Sequence, residues 1–185
     1  MKNIFIFLSI IILISACERP SNIEINLQNS ESFLEQNLLN SEIIEVEPGL
    51  QYMILESFQS DAPKPKLADT ITADFHDTLM DGSVFWSSID IGEPLTIQLS
   101  QLIPGCQKLI SLMQEGDFWR VFIHPDLAYG EEGRPTIPPN AALILGTILS
   151  VISISTMTIF VNIMSGILLA VTVLFYVFVY TVWLK

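Results

Sequence analysis

The chain is apolar at both ends and patterned in between. Ile4 to Ile14 is an apolar run behind Lys2, closed by the small residues Ser15 and Ala16. That is the three-part form of a secretory signal, and it is shorter than the ~20 apolar residues that cross a bilayer. Glu18 to Ser30 is polar with scattered Ile and Leu and no clear period, which predicts a tether. Ser30 to Asn40 then sets Phe33, Leu34 and Leu38 at helical spacing, with Ser30 or Ser32 able to cap, and predicts a short amphipathic helix. After the Pro48-Gly49 turn, Leu50 to Phe58 reads as a strand that ends at the proline-broken loop DAPKPK, 61–66.

The middle of the chain alternates with period two. Thr70 to Phe75 points Ile71, Ala73 and Phe75 to one side and Thr70, Thr72 and Asp74 to the other, as a half-buried strand does. Met80-Asp81-Gly82-Ser83 supplies a tight turn into a second strand, Val84 to Ser88. Past Glu93-Pro94, Leu95 to Leu99 alternates with Leu95, Ile97 and Leu99 inward. Leu109, Ile110, Leu112 and Met113 recur at helical spacing between Pro104 and Gly116, so proline opens and glycine closes one short helix. Phe118 to Ile123 is a strand with Trp119, Val121 and Ile123 on one face, stopped by His124-Pro125. A glycine- and proline-rich loop leads into the last strand, Ala142 to Val151. Four to six antiparallel strands and one short helix predict an α+β domain, a curved antiparallel sheet wrapped around the helix.

Charge narrows the partners. The formal net charge is −12, and all 20 acidic residues lie between Glu18 and Glu132. Such a surface disfavours nucleic acid, whose phosphates select Lys and Arg. The two cysteines, Cys17 and Cys106, imply no disulfide framework. His76 and His124 have no third ligand at metal spacing, so no metal is expected. Asp74, Asp77 and Asp81 lack the ligand pattern of an EF-hand and read as a solvated acidic edge. Ser87-Ser88 has no G-x-S-x-G context and receives no nucleophile role. No CxxC, HExxH, P-loop or GxGxxG motif occurs, and no cofactor is expected.

Asp-Leu-Ala-Tyr-Gly at 126–130 and Ile-Pro-Pro-Asn-Ala at 137–141 closely resemble the flap of FKBP-type peptidyl-prolyl isomerases. The order strand, Asp-Gly turn, Phe-x-Ser-Ser at 85–88, then Leu102-Ile103-Pro104-Gly105 before a helix, resembles the same family, over about Gly49 to Val151. The resemblance implies an FKBP-like fold and peptidyl-prolyl cis-trans isomerase activity on proline-containing polypeptides. It implies catalytic positions at Tyr129, Phe85 and Ile103, with the Ile103 N–H and the Tyr129 hydroxyl bonding ligand carbonyls. Substrate would also touch Phe75, Trp86, Leu95, Leu102, Cys106, Ile137 and Leu145. The family's pocket Asp is Trp86 here, and its floor Trp is Cys106. Phe75 further replaces a family Tyr, Leu95 and Leu145 stand where the family often has Phe, and Arg134 occupies a variable flap position. The alternative reading is therefore an FKBP-like binding or chaperone module with little turnover.

Ile14-Ser15-Ala16-Cys17 resembles a bacterial lipobox, which implies cleavage before Cys17 and a lipid on its sulfur. The expected organisation is a signal peptide at 1–16, a lipidated tether and short helix at 17–48, the isomerase-like domain at 49–151 and a transmembrane helix at 157–184. From Pro135 to Leu184 no residue is charged, and Tyr176, Tyr180 and Trp183 crowd the end that Lys185 closes, as interfacial anchors do. Two readings of this tail stay open, a C-terminal hydrophobic membrane helix or an out-of-frame or fusion segment. The expected location is the bacterial cell envelope, with the domain facing the periplasm or exterior and held through Cys17. The short helix resembles a truncated dimerisation arm of the macrophage infectivity potentiator group, so a homodimer is compatible with the sequence, though an isolated helix this short is marginal.

Overall fold

The computed structural model describes residues 21–57 and 63–153. The lipobox with Cys17 and the apolar segment 157–184 lie outside the described residues. No described helix is long and apolar enough to cross a membrane.

Helix α1 spans Asn22–Asn37, eight residues earlier than its apolar spacing predicts. Ser21 accepts a hydrogen bond from the Glu24 N–H, and the Glu24 carboxylate accepts one from the Ser21 N–H, so two otherwise orphaned donors are satisfied reciprocally. The stretch 22–30 is thus helical rather than a tether. Its period was invisible because polar groups dock it. Ser30 Oγ donates to the Asn140 carbonyl at 2.8 Å and accepts from the Ala142 N–H at 2.9 Å, and Asn26 Nδ2 donates to the Pro139 carbonyl at 2.9 Å.

Seven strands follow: β1 Ile44–Glu47, β2 Leu50–Glu56, β3 Thr70–Leu79, β4 Val84–Ser87, β5 Leu95–Gln98, β6 Phe118–Ile123 and β7 Leu143–Ser153. Helix α2, Ser88–Ile91, sits between β4 and β5, and helix α3, Pro104–Ile110, between β5 and β6. All pairs are antiparallel, in the order β1-β2-β6-β7-β3-β4, with β5 also on β3. The strand missing from the sequence expectation is β1. Its Ile-Glu-Val-Glu does alternate, but over only four residues and with Ile44 and Val46 both exposed, so no buried face marks it.

The alternation of β3 places Ile71, Ala73 and Phe75 in the core with Val121 and Ile123 of β6 and Leu143, Leu145 and Leu149 of β7. Leu109, Ile110 and Met113, from α3 and the turn after it, pack into the same cluster and are essentially inaccessible. Each such side chain contributes about 1.5–3 kcal/mol on burial. Gly105 lets α3 lie this close, because a Cβ there would stand 2.5 Å from Ile123 Cγ2. Phe122 points to the other face of the sheet and is also buried, with the ring of Phe33 from α1 at 6.1 Å. The sheet is covered by α3 on its concave face and by α1 on the opposite one.

Candidate functional site

The concave face opens into a cavity of about 600 Å³ between β3, β4, the start of α3 and the loop 126–141. The register creates its back wall. Asp77 of β3 pairs with Trp86 of β4 on one side and Leu145 of β7 on the other, and Phe75 lies two residues along the same face. Phe85 and Trp86 close one side, with the Trp86 ring tilted 57° against Phe75 at 5.9 Å. Leu95, Leu102 and Ile103 form the next edge, and Cys106 lies at the floor, buried. Tyr129 and Ile137 come from the loop above. All ten residues singled out from sequence for substrate contact or catalysis line this one cavity.

The loop is held by its own backbone. Arg134 and Ile137 exchange N–H···O bonds of 2.8 and 2.9 Å, and the Asn140 N–H donates to the Gly130 carbonyl at 2.8 Å. Gly133 is required here: its φ is +59°, and a Cβ would fall 2.4 Å from the Ile137 carbonyl oxygen. The Arg134 guanidinium sits 4.9 Å from the centre of the Tyr129 ring, within cation–π range, and lines the cavity mouth. Tyr129 is shifted above the ordinary phenol range, chiefly by burial and next by Cys106, with Arg134 opposing, so it keeps its proton.

Two donors are left over for a ligand. Ile103 caps α3 with extended backbone, and among the described residues nothing accepts its N–H. The Tyr129 hydroxyl likewise has no partner among them.

Sequence reasoning missed Asp77. It is not part of a solvated acidic edge: it is 7% exposed, lines the cavity, and its Oδ1 has no hydrogen-bond partner. Burial alone pushes its carboxyl up to about 8. The signal was present, since extending the inward series Ile71, Ala73, Phe75 by one step reaches residue 77. Trp86 stands in the Phe-x-Ser-Ser motif, yet a carboxyl enters the cavity from its cross-strand neighbour. Asp74 and Asp81 do face outward, and Asp81 is held below the usual carboxylate range by the Ser83 hydroxyl and N–H. Gln101, Thr136 and Leu143 also line the cavity without having been anticipated.

Ser87 and Ser88 are structural. Ser87 accepts from the Asp90 N–H at the start of α2, and buried Ser88 Oγ accepts from the Phe75 N–H at 2.9 Å. Cys106 is no nucleophile either, because burial and the neighbouring Asp77 push its thiol far above the ordinary range.

A curved antiparallel sheet around a short helix, with an aromatic cavity roofed by a proline-rich loop, defines a class of small apolar-pocket domain. Residues 62–149 match the family model of FKBP-type peptidyl-prolyl cis-trans isomerases. The outer membrane protein MIP of Legionella longbeachae is 41% identical over 123 residues, covering 65% of this chain and 52% of that protein. The peptidyl-prolyl cis-trans isomerase Mip of Coxiella burnetii is 38% identical over 120 residues, 64% of this chain and 51% of the relative. The crystal structure of FkpA from Escherichia coli superposes with a TM-score of 0.67 at 30% identity, over 71% of this chain and 61% of that one. A peptidyl-prolyl cis-trans isomerase from Pseudomonas syringae superposes at 0.66 with 25% identity, over 74% of this chain and all of the other. Residues 62–149 therefore form a domain of the FKBP-type peptidyl-prolyl cis-trans isomerase family. The chain spans about half the length of the curated relatives it matches.

Proposed function

We propose that this chain is a peptidyl-prolyl cis-trans isomerase that assists folding of envelope polypeptides. The observation that carries the reading is the cavity of about 600 Å³ in which Phe75, Phe85, Trp86, Ile137 and Leu145 come together beside two unpartnered donors. The barrier to rotating an X-Pro bond, ~18–20 kcal/mol for an amide, comes from resonance that is lost on twisting. A twisted amide is less charge-separated than a planar one, so a dry aromatic cavity that withholds water from its carbonyl favours the transition state. The Ile103 N–H and the Tyr129 hydroxyl hold flanking carbonyls, so that the chain on either side of the proline is fixed while the bond turns. This chemistry needs no nucleophile and no cofactor.

A protease-coupled assay with an Ala-Leu-Pro-Phe peptide tests it. Isomerisation well above background, lowered at least about tenfold by Phe85→Ala, is expected. Folded protein with no rate above background would sink the enzyme reading in favour of a binding or chaperone module. The case for that module is the replacement of the family's pocket Asp by Trp86 and of its floor Trp by Cys106, against which Asp77 supplies a carboxyl to the same cavity from the neighbouring strand.

The envelope location extends this reading. The name of the Legionella relative places that protein in the outer membrane, and the lipobox-like Ile14 to Cys17 supplies a lipid attachment site at Cys17. A Cys17→Ser chain is expected to lose incorporation of labelled fatty acid. If that variant then appears in the soluble fraction on alkaline extraction, segment 157–184 is not a membrane span. A homodimer through α1 is the least supported element, since Phe33 and Leu34 already pack on their own sheet.

A further inference from the structure

The cavity contains one polar group that packing alone does not explain. Asp77 is embedded between Trp86 and Leu145 of its two neighbouring strands, with no cation and no donor on its Oδ1. A carboxylate ion left in that position would cost several kcal/mol in lost solvation, whereas a neutral carboxyl is tolerated and carries a donor O–H. We propose that Asp77 is a specificity-determining residue that binds as the neutral acid, donating its proton to a carbonyl oxygen of the peptide beside the proline and rejecting anionic groups.

The surroundings support a donor rather than an acceptor. The ionisable groups facing Asp77 from the elements packed on it are Cys106 of α3 and Tyr129 of the loop, with Arg134 at the mouth. Neither the thiol nor the phenol supplies a positive charge, and Arg134 is engaged with the Tyr129 ring. His76, the neighbour in sequence, is exposed on the other face of β3 and shares a hydrogen bond with Ser87. With Cys106 and Tyr129 both shifted upward, Asp77, displaced to about 8, is the cavity group that changes charge between pH 7 and 9. A peptide carbonyl meets an O–H below that range and a bare carboxylate above it, so the complex is favoured on the acid side.

The inference rests on the isomerase reading for its ligand, and one experiment separates the two. The full chain is titrated with an Ala-Leu-Pro-Phe peptide by NMR from pH 6 to 9.5, and cis-trans exchange cross-peaks of the bound peptide are recorded in the same samples. Wild-type affinity is expected to be level to about pH 7 and to fall roughly tenfold per pH unit above 8, the behaviour of one required proton. Asp77→Asn, which keeps a donor, flattens the profile and retains binding at high pH. Asp77→Leu, which keeps the branched shape without a donor, binds at least about fivefold more weakly than wild type at pH 7 and is also flat. A flat wild-type profile, affinity that rises with pH, or full affinity in Asp77→Leu overturns the assignment, and the wild-type profile needs no variant to fold. Exchange with flat binding overturns this inference and leaves the isomerase intact. Binding that falls above pH 8 without exchange supports Asp77 as donor and overturns the isomerase.

Discussion

At Asp77 the demands of folding and of the cavity diverge. Its carboxyl has an ordinary value of 3.8 in the unfolded chain and about 8 when folded. Below pH 3.8 both states are protonated and stability is undiminished. As pH rises toward 8 the unfolded state sheds the proton and the folded state does not, so stability falls by up to about 1.4 kcal/mol per pH unit and levels off above 8. Asp77→Asn is therefore expected to match wild type near pH 4 and to exceed it by on the order of 3 kcal/mol at pH 7. Urea melts at the two pH values check this, and an equal difference at both would refute it. Cys106 provides a second test at the same scale. Buried at the cavity floor with its thiol raised, it should resist a disulfide reagent in the folded protein and react at once in denaturant.

Helix α1 is the element whose role was least visible beforehand, and it acts on the loop rather than on the cavity. Through Ser30, which reaches both Asn140 and Ala142, and Asn26, which reaches Pro139, it pins the segment just after Ile137. Asn140 itself has φ of +54°, a conformation that Asn accepts more readily than most residues, and its Nδ2 returns a hydrogen bond to the Ile23 carbonyl. Ser30→Ala leaves the Ala142 N–H buried without a partner and should cost about 1–3 kcal/mol. It should also speed hydrogen exchange at Ala142 more than at the β3 amides. Equal protection in the variant would mean that the helix is a passive cover. The flap motif was legible from its Tyr129 and Ile137, but the clamp behind it consists of isolated polar contacts more than 100 residues apart, for which no local pattern exists.

For the molecule as a whole, both faces of the sheet are covered, and the N-terminal helix, the loop and the strand β7 share one set of contacts. Unfolding should then be a single transition. Trp119, stacked on Tyr52 at 4.3 Å in one half of the sheet, and Trp86 in the other make this observable, because tryptophan fluorescence and far-ultraviolet circular dichroism should give coincident urea curves. Separate midpoints would show that α1 detaches before the sheet opens.

By itself the sequence determined ten of the cavity's side chains through its family resemblance and, from its own pattern, the strands with buried alternation, β3, β5 and β6, and the Asp81-Gly82 turn. The strands and the turn are written locally, because a period of two or a residue tolerant of positive φ is legible in a few positions. Only the tertiary structure decided the rest. It made the edge strand β1 a partner of β2, and it made a polar stretch helical by giving Ser30 and Asn26 distant acceptors. It also turned Asp77 from a surface charge into a neutral acid inside the cavity. Burial is set by what packs on a residue, and for Asp77 that includes, besides the adjacent β4, the strand β7 and Cys106 of α3 far along the chain.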